Sequence, residues 1–252
     1  MKQSFLASYP RIGTKNNRTS TEVLGKSPYY WYWAYMRRNE EYIKCCANNG
    51  KGRLAKLYKD FGDIRGDDFA EWWGGKNQKG SYLFGEVPNE VNLTKIKSKD
   101  EWSESWGDNV AVIAVNLNVG KRKLQQYFTK FLNNAHKGKQ GRRSMRSTPS
   151  TARYKLYRNY SVENLRKMLS AYDAWVANEA LPKHQQLSMW QVGESINLVP
   201  AAMPPKHQDY KLQDNVKMRH NTMTVAMSRY IKQAKIIIAN TSLGVFPKST
   251  ID

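Results

Sequence analysis

The sequence has few features of a secreted or membrane protein. Its 252 residues include only two cysteines, Cys45 and Cys46, and because these are adjacent they do not form the spaced framework of a disulfide-stapled domain. No stretch approaches the roughly 18 uncharged apolar residues of a membrane-spanning helix, and the N-terminal sequence lacks the apolar stretch of a secretory signal. We therefore expect a cytoplasmic protein with no membrane partner.

The motifs of common catalytic and metal sites are also missing. The four histidines are scattered, none stands at metal-ligand spacing from a carboxylate, and two adjacent cysteines exclude a zinc finger or ribbon. The sequence contains no GxxxxGK[ST] loop, no GxGxxG after a strand and no GxSxG. These absences predict no catalytic residue, no bound metal and no cofactor.

Negative charge is absent from one long segment. The chain carries 41 Lys and Arg against 21 Asp and Glu, a net charge of +20, and residues 109–162 hold 12 of the cations and no acidic residue. The segments on either side each carry a net charge of only +4. Because a surface built for solubility intersperses both signs, this segment predicts a polyanionic partner that its cations contact through phosphates. The predicted contact residues are Lys121, Arg122, Lys123, Lys130, Lys137, Lys139, Arg142, Arg143, Arg146, Arg153 and Lys155.

Apolar residues are numerous enough for a folded core. The sequence is 40% hydrophobic and 12% aromatic, which excludes a disordered basic tail. We expect an α+β fold that is predominantly helical. Its segments would be a flexible arm (1–26), an aromatic helical module (27–85), a small central basic α+β region (109–178) and a helix-turn-helix-like module (186–250).

Local patterns predict several elements of this fold. Ser27 and Pro28 are typical of a helix start, and the helix would continue to about Cys46. Six aromatic residues lie within 29–35, and we expect them to pack in the core rather than to stack on bases. Aromatic and β-branched runs predict strands over 81–84 and 110–115, and helical periodicity predicts a helix over 121–135. Ser161 is expected to cap a further helix that begins at Val162.

The last long helix is the candidate for reading bases. It is predicted to start at Thr222 and to end near Asn240. A recognition helix presents short polar and basic side chains at its start, where they reach base edges and phosphates in the major groove. The candidate residues are Arg219, Asn221, Thr222, Thr224, Ser228, Arg229 and Lys232. The alternative is an ordinary amphipathic helix with a polar outer face.

The densest group of acidic residues is the candidate for a metal site. It consists of Asp60, Asp63, Asp67, Asp68 and Glu71. Clustered carboxylates can hold Mg²⁺ for phosphoryl chemistry. We favour the alternative that these residues cap a short helix and complement its dipole, with Asp67 at the helix start.

Two aromatic motifs resemble a module of regulator-like proteins from bacterial integrative elements and genomic islands. The first motif, W-x-x-x-RRN-x-x-Y, matches Trp33, Arg37, Arg38, Asn39 and Tyr42. The second, F-x-x-WW, matches Phe69, Trp72 and Trp73. The resemblance covers residues 29–73 and implies DNA binding.

Together, these features favour a non-enzymatic DNA-binding protein, a regulator or accessory factor of a bacterial mobile element or phage. Its partner would be double-stranded DNA on the bacterial nucleoid, with a homodimer as one option for its assembly. Two alternatives stay open: a nucleic-acid-processing enzyme, either a nuclease or a recombinase, and an RNA-binding structural protein.

Overall fold

A computed structural model describes residues 5–14, 16–75, 78–86, 111–135, 150–157, 161–204 and 213–250. The chain forms two compact units, one made of residues 1–86 with 152–252 and the other of residues 87–151. The described residues are predominantly helical, with a single two-stranded sheet. None of the described helices has both the length and the apolar content to cross a membrane.

The first unit begins with a short hairpin and a single helical turn. Strands β1 (Gly13–Thr14) and β2 (Asn17–Arg18) pair antiparallel, and α1 covers Thr21–Leu24. The described part of the expected flexible arm packs on the aromatic module. The Phe5 ring lies 5.9 Å from that of Trp73. Apolar contact therefore holds the Phe5 ring against the aromatic module.

The aromatic segment forms two helices where one was expected. These are α2 (Pro28–Met36) and α3 (Glu40–Ala47). The break falls at Asn39, whose extended backbone and side chain cap α3: its Oδ1 accepts a hydrogen bond of 3.0 Å from the Tyr42 amide. Since Asn favours a cap over a helix interior, its side chain explains the break.

Three short helices complete the aromatic module. They are α4 (Ala55–Phe61), α5 (Phe69–Gly74) and α6 (Lys79–Phe84). The strand predicted over 81–84 is wrong because this segment is part of α6. Leu83 and Phe84 are both fully buried, whereas neighbouring residues of a strand point to opposite faces.

The described part of the second unit contains one helix. This helix, α7, covers Lys121–Ala135 and confirms the prediction from periodicity, although none of its residues is buried. Residues 111–115 form no strand and are exposed, so the described part of the predicted strand is wrong. A strand needs a partner for its backbone groups, and these five residues pair with no strand among the described residues.

The C-terminal part of the first unit supplies three more helices. They are α8 (Val162–Glu179), α9 (Met189–Ser195) and α10 (Gln213–Thr241). Ser161 caps α8 as predicted, accepting a hydrogen bond of 3.1 Å from the Asn164 amide. Single 3₁₀ turns cover Lys183–Gln185 and Pro200–Ala202.

Two hydrophobic clusters form the core of the first unit, and α10 contributes to both. The larger cluster combines the aromatic module with α8, Phe246 and the C-terminal half of α10. Tyr30 is half-buried and the five other aromatic residues of 29–35 are buried, which confirms their predicted place in the core. The smaller cluster joins α8 and α9 to α10 through Ala171, Val192, Met223, Met227 and Ile231.

Candidate nucleic-acid interface

Four of the predicted phosphate-contacting cations lie on α7. Lys121, Arg122, Lys123 and Lys130 are all exposed, and Lys123 Nζ lies 5.9 Å from the centroid of the Tyr127 ring. The helix also exposes apolar side chains, with Tyr127, Phe128 and Leu132 each at least 40% exposed. The predicted residues Lys137, Lys139, Arg142, Arg143 and Arg146 lie outside the described residues.

The candidate base-reading helix starts earlier than predicted. It begins at Gln213 rather than at Thr222, so the polar residues expected at its start lie inside it. The first turns were missed because their apolar residues do not form a buried stripe: Val216 is 37% exposed and Met218 is 69% exposed. Without such a stripe, periodicity gives no helical signal.

A row of polar side chains follows the solvent-facing side of α10. Residues three, four or seven apart share one face of a helix, and these spacings relate the exposed residues Lys217, Asn221, Ser228, Lys232 and Lys235. We call these five residues the outer row of α10. At 1.5 Å per residue it extends for roughly 27 Å. The predicted residues Thr222 and Arg229 are exposed beside it.

Two predicted base-reading residues are half-buried and engaged within the protein. Arg219 Nη1 donates a hydrogen bond of 3.2 Å to the Met203 carbonyl. Thr224 Oγ1 donates one of 2.8 Å to the His220 carbonyl. Of the seven predicted side chains on this helix, five are exposed and these two are half-buried. Exposed Thr222 also donates to a carbonyl of its own helix, that of Met218, at 2.8 Å.

Lys217 and Lys235 belong to the outer row but were not among the predicted residues. A charge count over a narrower window would have found them. Residues 215–250 contain six Lys and Arg and no Asp or Glu. A charge count over the whole C-terminal third includes its acidic residues, and so it hides residues 215–250 as a second segment without carboxylates.

Arg153 and Lys155 lie in the first unit, in a segment that bends over residues 152–154. Lys155 is exposed. Arg153 donates hydrogen bonds of 2.9 and 2.8 Å to the two carboxylate oxygens of Asp60, whose side chain is 3% exposed. The reasoning that cations of residues 109–162 lack carboxylate partners therefore fails for Arg153, because its partner is distant in sequence.

The acidic group is divided among arginines and backbone amides. Asp60 binds Arg153, Asp63 binds Arg65, and Asp67 binds Arg37. Asp68, rather than Asp67, caps α5 by accepting a hydrogen bond from the Glu71 amide. The carboxylates of Asp68 and Glu71 both pair with Arg18. Within the described ranges, no three His, Cys, Asp or Glu side chains are grouped so that they could hold a metal ion.

Hydrogen bonding keeps two of these carboxylates ionised. Burial alone would raise the pKa of Asp60, but hydrogen bonds from Tyr154, Arg153 and Tyr82 outweigh burial and lower it. The pKa of Asp63 is lowered chiefly by its hydrogen bonds with Arg65. Burial and the bond to Asp60 raise the pKa of Tyr154, so its hydroxyl stays protonated and donates.

The residues of the first aromatic motif connect elements of the core. Arg38 donates to both oxygens of Asp173 on α8, with bonds of 3.0 and 2.6 Å. Asn39 Nδ2 donates to the Ile238 carbonyl on α10 at 2.7 Å, and the Tyr42 hydroxyl donates to the Gly62 carbonyl at 2.8 Å. These contacts give the motif an architectural function in this chain.

The second aromatic motif also lies in the core. Phe69 and Trp73 are buried, and half-buried Trp72 donates from its indole to the Phe61 carbonyl at 2.9 Å. The geometry therefore places both motifs within the scaffold and leaves the exposed cations as the candidate interface.

No protein-family model, curated protein or solved structure matches the chain.

Proposed function

We propose that this protein binds double-stranded DNA without catalysing a reaction, as a regulator or accessory factor of a bacterial mobile element or phage. The observation that carries the proposal is the outer row of α10. Its three lysines are exposed, and no Asp or Glu occurs over residues 215–250. A cationic row of this length matches the regular negative charge of a nucleic-acid backbone.

The exposed side of α10 contains groups suited to two kinds of contact. Lys217, Lys232 and Lys235 would bind phosphates, which provide affinity without sequence choice. Asn221, Ser228 and Arg229 carry the donors and acceptors that read base edges in the major groove. The cations of α7 and of residues 136–146 would add further phosphate contacts.

The reading unit that we propose is helix-turn-helix-like, with α9 supporting α10. Gly193 of α9 faces Met223 and Met227 so closely that a Cβ there would lie 2.6 Å from Met223 Cγ. This close packing would fix α10 relative to α9 and α8 when its outer row meets DNA. The proposal places the protein in the bacterial cytoplasm, on the nucleoid or on invading DNA.

The test compares the outer row with lysines elsewhere in the first unit. The triple variant Lys217→Gln, Lys232→Gln and Lys235→Gln removes the charge of the row. The control variant Lys44→Gln, Lys51→Gln and Lys56→Gln removes the same charge from exposed positions on and beside α3 and α4. Affinity for a labelled DNA duplex is measured by fluorescence anisotropy at several salt concentrations.

We expect the triple variant to bind DNA more weakly. The slope of the logarithm of its association constant against the logarithm of the salt concentration should become shallower by about one unit per lysine, because each lysine loses a phosphate contact. The control should keep the slope of the original protein. Equal slopes for the two variants would overturn the assignment of the outer row as the DNA-binding surface.

A further inference from the structure

Two exposed tyrosines, each covered by a cation, lie at either end of the segment 153–157. Tyr82 is 51% exposed and Tyr157 is 57% exposed. The guanidinium carbon of Arg153 lies 5.2 Å from the centroid of the Tyr82 ring, and Lys248 Nζ lies 5.1 Å from that of Tyr157. Each ring therefore combines an accessible aromatic surface with a neighbouring positive charge.

The segment 153–157 connects these two groups. Its outward side chains are Arg153, Lys155 and Tyr157, whereas Tyr154 and Leu156 are half-buried between them. The backbone is held at both ends, by a 3.0 Å bond from the Tyr154 amide to the Leu83 carbonyl and a 2.7 Å bond from the Tyr157 amide to the Phe246 carbonyl. The chain bends over residues 152–154. Beyond the bend, alternate residues of an extended chain, such as Lys155 and Tyr157, lie about 7 Å apart.

We call the exposed residues Tyr82, Arg153, Lys155 and Tyr157 the tyrosine row, and buried Lys248 lies beside its last member. Its first half is fixed in place before any ligand arrives. Asp60 holds the Arg153 guanidinium through two hydrogen bonds and also accepts one of 3.3 Å from the Tyr82 hydroxyl. Because these side chains are already ordered, a ligand that binds them loses little conformational entropy.

We propose that the tyrosine row binds the unpaired bases of single-stranded DNA. Bases stack on the rings of Tyr82 and Tyr157, and Lys155 binds the phosphate between them. A duplex is a poor ligand for this row, because its bases are already stacked on one another, whereas every unpaired base offers a π-face to an aromatic ring. This inference rests on the nucleic-acid binding proposed above and adds a second surface with a different preference.

The test uses a labelled oligothymidylate and a duplex of the same length. Tyr82→Leu and Tyr157→Leu should each lower the affinity for oligothymidylate about tenfold, the size of one lost base–aromatic stack, and should leave duplex affinity unchanged. Tyr157→Phe keeps the ring and should retain full affinity. Tyr9→Leu is the matched control, since Tyr9 is also about half-exposed, at 49%, but packs on the core ring of Trp73.

The outcomes separate this inference from the proposed function. If the leucine variants bind oligothymidylate as the original protein does, the tyrosine row is excluded while duplex binding through α10 stands. If the unsubstituted protein binds neither probe, both proposals fail. Tighter binding of oligouridylate than of oligothymidylate would overturn the choice of DNA. Thermal unfolding verifies that each variant is folded, as expected for substitutions of half-exposed side chains.

Discussion

Asp60 and Arg153 lie 93 residues apart in the sequence, yet the Arg153 guanidinium donates two hydrogen bonds, of 2.9 and 2.8 Å, to the buried Asp60 carboxylate. The Tyr154 hydroxyl donates a third bond, of 2.6 Å, to the same group. This arrangement attaches the segment that follows residue 151 to α4. It connects the fold of the first unit to the tyrosine row, because Arg153 also lies over Tyr82.

Replacing Asp60 should therefore destabilise the protein. Asp60→Ala removes the shared acceptor of Arg153 and Tyr154, and we expect the free energy of unfolding to fall by about 2 to 3 kcal/mol. Urea denaturation measures the change. Asp67→Ala is the control, since Asp67 also pairs with an arginine but is 94% exposed, and surface pairs contribute less than about 1 kcal/mol. Equal losses in the two variants would contradict the structural importance of Asp60.

The contribution of Asp60 should depend on pH. Its pKa in the folded protein is lowered, and the unfolded value is about 3.9. Stabilisation by the ionised carboxylate is therefore complete above the unfolded pKa and is lost as the pH falls through the folded pKa. The difference in unfolding free energy between the original protein and Asp60→Asn should be constant from neutral pH to about pH 5. It should shrink under more acidic conditions, and a difference that grows on acidification would exclude this mechanism.

Asn39 should contribute more than an ordinary helix cap. Its Oδ1 caps α3, and its Nδ2 donates to the Ile238 carbonyl and to Thr241 Oγ1 at 2.7 and 3.3 Å. Asn39→Ala should cost about 2 to 3 kcal/mol, because it removes the cap and leaves buried groups of α10 with fewer partners. Ser161→Ala removes only a cap and should cost about 1 kcal/mol. If chemical denaturation gave equal losses of unfolding free energy for Asn39→Ala and Ser161→Ala, the hydrogen bonds from Asn39 to α10 would add no stability.

Gly193 should tolerate no side chain. A Cβ at this position would lie 2.6 Å from Met223 Cγ and 2.9 Å from Met227 Cγ, both of which belong to buried residues. Gly193→Ala should destabilise the contact between α9 and α10 by about 1 to 3 kcal/mol. Gly66→Ala is the control, because a Cβ there meets nothing within 4 Å. A melting temperature unchanged in Gly193→Ala would contradict the close packing of the two helices.

Local sequence signals predicted much of the helical structure. The cap at Ser161, the periodicity of residues 121–135 and the apolar density of residues 29–35 each depend on neighbours within a few positions. Each corresponds to an observed feature: the start of α8, the extent of α7 and the aromatic core. Such signals identify an element because capping and side-chain periodicity act within one or two helical turns.

Features that depend on distant partners were not predictable in the same way. The pairing of Arg153 with Asp60 has no local signature, so a count of nearby charges misjudged it. The aromatic residues of 81–84 suggested a strand, but packing of α6 against Trp73 overrides that preference. The outer row of α10 was only partly recognised. Lys217 lies in first turns that have no buried stripe, and the charge count over the whole C-terminal third hid Lys235.

The central claim is that this protein binds DNA through exposed cations. The most direct test is the affinity of the unsubstituted protein for a DNA duplex, measured over a series of salt concentrations. We predict that the logarithm of the association constant falls linearly with the logarithm of the salt concentration, with a slope of about −3 or steeper, since each neutralised phosphate contributes about −0.9. A slope near zero, or no binding of the duplex at low salt, would contradict the claim that the protein binds DNA through exposed cations.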